Sequence, residues 1–433
     1  MLVPQRETPY HTSDLEPDAH GATRQLADGC REPGEDTDQL SSALDDLADP
    51  LAKIGDLAAS AGVRRVHVLA WRDLDDVEAG GSELHIAEGA KLWAAAGVEV
   101  TMRTSWAQGQ PTDSVRDGYR VIRRAGRYMV FPRAALAELF GRTGPRDVLI
   151  EIWNGMPFLS PLWNRGPGVI FLHHVHAEMW NMVLPPALAR LGVLFEGKLA
   201  PPLYRRCPIV TLSESSKREL VDDLGFDPDR ITVVPPGIDP RFSPGPAGMR
   251  SPAPLVVAIG RLAPVKRYDA LVRVAHRARQ RVPGLRLDIV GEGFERPKIE
   301  AVIDELGAAE WVTLRGRISD AELVDLYRRA WLVASASARE GWGMTLTEAA
   351  ACGTPAVASR IAGHQDAVGD GVSGLLADGD DALAEAMARV LGDPQLHARL
   401  SAGALARART LTWRNTATNL MRVIADEVSR HKR

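Results

Sequence analysis

LVVAIGRLAPVKRYDALVRVAHRARQRVPGLRLDIVG, residues 255–291, is a strand, a helix and a second strand in succession. The runs LVVAIG (255–260) and LRLDIVG (285–291) are short and rich in β-branched residues, and the longer stretch near 266–281 between them is helical in character. Parallel strands need a crossover of this kind, because a tight turn cannot join them. The alternation continues through VTLRG (312–316), WLVASAS (331–337) and PAVAS (355–359), with helices expected near 294–306, 319–329 and 345–352. A chain that alternates in this way predicts an open, doubly wound α/β sheet.

The same pattern precedes this segment. RVHVLAW (65–71), VEVTMRTSW (98–106), YRVIRRA (119–125), DVLIEIW (147–153), GVIFLHH (168–174), PIVTLS (208–213) and RITVVPP (230–236) read as strands, most of them apolar on both faces as buried parallel strands are. The Pro-, Gly- and Ser-rich run PRFSPGPAGMRSPAP (240–254) separates the two sets. We therefore expect two tandem doubly wound, Rossmann-like domains, over 61–246 and 247–411, with a cleft between the carboxyl ends of their sheets. A last helix is expected over 412–433.

Composition narrows the class. The 433 residues include 52 Lys and Arg against 56 Asp and Glu, so the chain is no polycation built for nucleic acid. Cys30, Cys207 and Cys352 fit neither a zinc spacing nor a disulfide framework, which suits a reducing cytoplasm. No apolar run approaches membrane-spanning length, and Met1–Tyr10 lacks the apolar core of a secretory signal. The first 60 residues carry 13 acids and 4 bases. Most of that arm has too few apolar residues to offset its ordering entropy, although 40–60 has the makings of a helix interrupted at Pro50.

Four constellations carry chemistry. In GGSELH (80–85), Gly80 and Gly81 bring backbone N–H groups to a helix start, which is an anion site or a plain turn. In GRLAPVK (260–266), Arg261 and Lys266 flank a strand-to-helix loop and suit either a diphosphate clamp or a solvated surface. In EGWGMTLTE (340–348), Glu340 and Glu348 lie at one mouth of the sheet, where carboxylates accept hydrogen bonds from vicinal hydroxyls. Thr345 and Thr347 add hydroxyls, and the helix start favours phosphate. In FLHHVHAEMW (171–180), His173, His174 and His176 end a strand without metal-site spacing. One of them suits contact with a hydroxyl or a proton, and the others suit packing. GEG (291–293) reads as a strand-end turn, and the acidic strings DLDD (73–76) and DGDD (378–381) as solvated turns.

Together GGSELH, GRLAPVK and EGWGMTLTE followed by AAACGTP resemble the retaining glycosyltransferases of family 4, which have the GT-B fold. TVVPPGID (232–239) and DGVSGLL (370–376) are similar to further family segments, and the likeness covers roughly 64–430. It implies transfer of a hexosyl unit from a nucleoside diphosphate sugar, with UDP- or GDP-sugars foremost, to an acceptor hydroxyl with retention. The donor is a co-substrate, and neither cofactor nor metal is implied. The likeness puts the acceptor mostly on the first domain (61–246), the donor on the second (247–411), and the last helix (412–433) back across the first. Arg261 and Lys266 would hold the diphosphate, Glu348 the ribose, Glu340 the sugar hydroxyls and Gly81 the distal phosphate. Arg317, within 315–318, would meet the base, and Gly341, Gly343, Met344 and Thr345 would line the donor site. His174 best matches the family histidine near the reaction centre, with His173 and His176 as alternatives.

One departure stands out: AGHQDAV (362–368) carries His364 and Asp366 where many members have Gly-Gly and then Glu. The acceptor is open: saccharide, lipid-linked or small-molecule. Trp153, Met156, Phe158, Trp163, Trp180 and Met182 suit stacking on it or ordinary packing. Arg116, Arg120, Arg123, Arg124, Arg127 and Arg133 suit an anionic acceptor, the inner membrane face or a solvated surface. A GT-B-like epimerase or phosphorylase, or a catalytically silent sugar-nucleotide binder, are the alternative functions.

Overall fold

The computed structural model describes residues 50–76, 79–173, 175 and 186–433, so most of the acidic arm, His174, His176, Trp180 and Met182 lie outside the described residues. Two sheets organise the chain. The first holds β1 (Arg65–Leu69), β2 (Glu99–Thr104), β3 (Asp113–Arg116), β4 (Tyr119–Arg123), β5 (Val148–Trp153), β6 (Gly168–Leu172), β7 (Ile209–Thr211) and β8 (Ile231–Val233). Their order is β3-β4-β2-β1-β5-β6-β7-β8. The second holds β9 (Leu255–Ile259), β10 (Arg286–Val290), β11 (Val312–Gly316), β12 (Leu332–Ser335), β13 (Ala356–Ser359) and β14 (Gly374–Ala377). Their order is β11-β10-β9-β12-β13-β14. All pairings are parallel except β3–β4. The fold is the two-domain, Rossmann-like α/β architecture.

Strand order reverses beside β1 and beside β9. At such switch points the loops leave in opposite directions and open a crevice at the carboxyl ends of the strands. GGSELH follows β1, GRLAPVK follows β9, and the Glu340 loop follows β12. The topology thus gathers the chemistry-bearing loops.

The sequence reading misses two strands. The β3–β4 hairpin turns at Asp117-Gly118, both with positive φ (44° and 85°). That is the two-residue turn an Asp-Gly pair favours. β14, which begins within DGVSGLL and ends at Ala377, has only four residues. At the amino end, helix 50–61 starts at Pro50, whose missing N–H costs nothing in a first turn. Ile54 and Ala58 are buried, so this segment belongs to the first domain rather than to the acidic extension.

The last helix, Trp413–Lys432, packs against helices 50–61 and 81–95 and against β6. Trp93 donates its indole N–H to Ala417 (3.0 Å), and Lys432 donates to the Ala61 carbonyl (2.8 Å). The chain crosses between the domains twice, and the crossings touch. Ile238 N–H bonds Leu411 (3.0 Å), and a Cβ on Gly237 would lie 2.1 Å from the Trp413 nitrogen. TVVPPGID carries glycine there because two backbones meet.

Candidate active site

The second domain supplies a charged floor. β9 gives way at Gly260 (φ 148°) to the site loop, and a Cβ there would lie 2.9 Å from the Tyr268 hydroxyl. GEG is more than a turn: side chains at Gly291 and Gly293 would fall 1.9 Å from the Gly260 carbonyl and 2.2 Å from the Leu262 carbonyl. Leu262 N–H bonds the Glu292 carbonyl (2.9 Å) and Gly291 N–H the Gly316 carbonyl (2.9 Å). These bonds lace three strand-end loops together and fix the backbone under Arg261 and Lys266.

Lys266 ends a short 3-10 turn and ion-pairs with Glu340. Ser337 donates to the same carboxylate oxygen (2.9 Å). Burial pushes the Glu340 carboxyl up, but Lys266, His364 and Ser337 outweigh it and hold the group below its ordinary range. Burial, with a smaller contribution from Glu340, raises the Tyr268 phenol, so it stays a neutral donor. Arg267 adopts a left-handed conformation (φ 50°), and its Nη2 donates to both Asp380 oxygens at 2.9 and 3.1 Å. DGDD is therefore not a free turn: Asp378, Asp380 and Asp381 pair with Arg360, Arg267 and Arg277. Arg261 and Arg317 are exposed and form no ion pair among the described residues.

Glu348 sits in helix 344–351 and accepts from the Tyr327 hydroxyl (2.9 Å). Burial pushes its carboxyl up to about 7, with Tyr327 and Arg241 opposing. Gly343 caps this helix with φ 112°, a conformation that only glycine takes easily. Thr345 is half-buried, whereas Thr347 is buried and donates to the Met344 carbonyl (2.9 Å), so its hydroxyl serves the helix and not a ligand.

The first domain closes the opposite wall. A Cβ on Gly81 would lie 2.8 Å from Met344 Sδ, so the start of helix 81–95 abuts the start of helix 344–351 across the cleft. Glu83 accepts from Gly80 N–H and Ser82 Oγ (both 2.9 Å), which stiffens the GGSELH turn. The AGHQDAV departure also meets this wall. Asp366 accepts from Glu214 and Ser215 N–H (3.2 and 3.1 Å) and from the Ser215 hydroxyl. Ser215 Oγ accepts from Gly363 N–H (2.8 Å), and Ser213 donates to the Gly341 carbonyl (3.2 Å). Gly363 is obligatory, because a Cβ would fall 2.5 Å from the Glu340 carbonyl. His364 is buried beneath the loop, its Nδ1 near the Ser359 carbonyl (2.9 Å), and burial lowers its pKa. The sequence flagged His364 and Asp366 only as departures. Their roles, supporting Glu340 and latching the domains, needed the fold.

Several readings are corrected. Trp153 is fully buried against Tyr204 and donates its indole N–H to Gly155 (3.1 Å), so it offers no face to an acceptor. His173 is buried and edge-on to His85, Nε2 to Nδ1 3.1 Å, which assigns it to packing. Burial, with the neighbouring His173, holds His85 well below its usual range. Phe158 is likewise buried. DLDD is an ion-pair centre and not a solvated turn: Arg123, fully buried, meets Asp73 (2.6 Å) and Asp75 (2.5 Å). Arg116 also binds Asp75, while Arg120 and Arg124 bind Asp113. Most of that basic set is thus neutralised within the protein.

Two largely parallel sheets facing one cleft, with an acid–base pair and a half-buried carboxylate on one side and a glycine-opened helix start on the other, define a GT-B architecture. The chain belongs to glycosyltransferase family 4. A model of Glycosyltransferase Family 4 matches residues 79–242, and one of Glycosyl transferases group 1 matches 243–407. The D-inositol 3-phosphate glycosyltransferase of Salinispora tropica is 32% identical over 407 residues, 82% of this chain and 83% of the relative. That of Stackebrandtia nassauensis is 37% identical over 241 residues, 51% of this chain, and the match spans about half (54%) of that relative's length. Among solved structures, sucrose-phosphate synthase of Thermosynechococcus elongatus aligns with a TM-score of 0.70 at 22% identity, covering 82% of this chain and 97% of that one. HepE of Anabaena, in complex with UDP and glucose, aligns at 0.66 and 18%, covering 82% and 98%. These two likenesses concern the fold.

Proposed function

We propose that the protein transfers a hexosyl unit from a nucleoside diphosphate sugar, UDP- or GDP-linked, to an acceptor hydroxyl with retention of configuration. The observation that carries this is the Lys266–Glu340 pair, with Glu340 on the loop leading into helix 344–351, whose start meets the Gly81 helix start across the cleft. Lys266 and Arg261 neutralise the departing diphosphate, and the N–H groups at the starts of helices 81–95 and 344–351 add oriented dipoles. Glu340 accepts from sugar hydroxyls, Glu348 from the ribose diol, and Arg317 lies towards the base. The bond from the anomeric carbon to the diphosphate oxygen breaks as the acceptor oxygen approaches on the same face. The acceptor proton passes to the departing phosphate. In this scheme the chain's own cations and dipoles carry the charge, without a resident metal or cofactor. His174, at the family's histidine position, is assigned to the reaction centre. D-inositol 3-phosphate, named for the relatives, is the first acceptor to test.

We also assign a cytoplasmic location with peripheral contact at an anionic membrane face. Tyr128, Met129, Leu136, Leu139 and Phe140, in and beside helix 130–139, are all exposed. Arg133 and Arg142 are exposed beside them, while the helix's one acid, Glu138, is buried. Apolar side chains flanked by bases suit such a surface. No helix among the described residues is long and apolar enough to cross a membrane.

Thermal shift across UDP-, GDP-, ADP- and dTDP-sugars tests the donor, since a ligand of the folded state raises apparent stability. Anomeric proton couplings of the product test retention. Binding without transfer supports a silent binder, sugar isomerisation without acceptor supports an epimerase, and a pyridoxal absorbance band supports a phosphorylase.

A further inference from the structure

Arg339 immediately precedes Glu340, yet its guanidinium reaches into the other domain. Nε donates to the Val175 carbonyl at 3.0 Å, and Nη2 donates to Glu219 Oε2 at 2.8 Å. Both charged partners are about three-quarters buried, with side-chain exposures of 24% and 22%. Val175 is buried in the cluster that contains Leu172, at the carboxyl end of β6. Glu219 lies on helix 214–222, whose start is already latched to Gly363 and Asp366.

One guanidinium therefore ties the carboxylate loop of the second domain to two elements of the first. Arg can hold a carbonyl and a carboxylate at once through its fork, whereas a lysine ammonium at this span holds one of them. We propose that Arg339 is a positioning residue for the transfer step, aligning the Glu340 loop with the β6 end so that donor and acceptor meet in register. The proposal rests on the transferase reading above. It predicts a division of labour. The groups assigned to donor binding lie mostly on the second domain, so donor affinity survives loss of Arg339. Transfer, which needs both walls, does not.

The test compares wild type, Arg339→Ala, Arg339→Lys and Glu219→Gln. For Arg339→Ala we expect kcat to fall at least tenfold with donor KM and donor Kd changed less than threefold. Arg339→Lys should recover part of the loss. Glu219→Gln keeps the Val175 bond, and its kcat should stay within about threefold. Amide hydrogen exchange in the peptide containing Val175 should speed up in Arg339→Ala and not in Glu219→Gln. An unchanged kcat in folded Arg339→Ala, or equal losses in kcat and donor affinity, overturns the proposal. Exchange at Val175 is read without turnover. If wild type binds no nucleotide sugar, the transferase reading fails, while unchanged exchange in Arg339→Ala still refutes the tether by itself.

Discussion

Replacing Glu348 by Gln should stabilise the fold at alkaline pH and weaken donor binding at the same time. The poorly solvated carboxyl of this half-buried residue is lifted from 4.5 to about 7, so its ionised form is disfavoured in the folded protein. At 1.36 kcal/mol per pKa unit, the penalty is about 3 kcal/mol once the group is fully ionised. The sign follows from linkage. The folded protein holds this proton more tightly than the unfolded chain, so Glu348 costs nothing below about pH 4.5. Its cost grows as pH rises towards 7 and is complete above that. Glutamine keeps an acceptor for the Tyr327 hydroxyl and carries no charge at any pH. Thermal unfolding at pH 5 and pH 8.5 reads the difference. At roughly 2–4 °C per kcal/mol for a domain of 150–250 residues, Glu348→Gln should melt roughly 6–12 °C above wild type at pH 8.5, and within a degree or two of it at pH 5. Donor affinity should fall about tenfold or more, because charge-assisted hydrogen bonds contribute about 1.5–3 kcal/mol. Equal melting shifts at both pH values, or a destabilised variant at pH 8.5, would refute the argument. A stabilised variant that binds donor normally would leave the carboxylate poorly solvated but take it out of the ribose site.

Other perturbations follow from the same geometry. Lys266→Ala should abolish transfer, and a Lys266→Ala/Glu340→Gln double variant should recover stability but no turnover, since the single variant leaves a half-buried carboxylate without its cation; unfolding and rate assays on both check this. Gly81→Ala should push the flexible Met344 thioether aside and lower donor affinity, and Met344→Ala in the same chain should restore it, as read by donor binding. Asp366→Ala removes the acceptor for Glu214 and Ser215 and should increase proteolytic cleavage near residue 214 without loss of donor binding. Leu136→Ser with Phe140→Ser should reduce sedimentation with anionic vesicles several-fold and leave transfer to a soluble acceptor intact.

The sheets were legible because buried parallel strands leave dense apolar runs, and the site loops were legible because glycine, arginine and glutamate recur together at successive strand ends, although each alone suits a plain turn or a solvated surface. What stayed hidden was pairing. DLDD looks like a metal-binding or solvated string until the fold brings Arg123 and Arg116 to it across two strands. Among His173, His174 and His176 the sequence favours His174 only through its family likeness, and it takes the approach of His85 to assign His173 to packing. Trp153 ends a strand pointing at the cleft edge, and alternation alone could not say that its ring turns into the core beside Tyr204.

The glycines give the sharpest case, because one residue type answers three different demands here. Gly343 supplies a left-handed helix cap. Gly291, Gly293 and Gly363 let backbones touch, and so hold the Lys266 and Glu340 loops at fixed separation. Gly81 leaves space across the cleft. An alanine at each tests a different quantity: helix stability at 343, loop placement at 291, 293 and 363, and cleft width at 81. If the lacing is what positions the charges, Gly291→Ala should lower kcat through displacement of Lys266 even though residue 291 meets no ligand. A Gly291→Ala variant that melts lower yet turns over normally would show that the charged pair positions itself, and that the glycines serve folding alone.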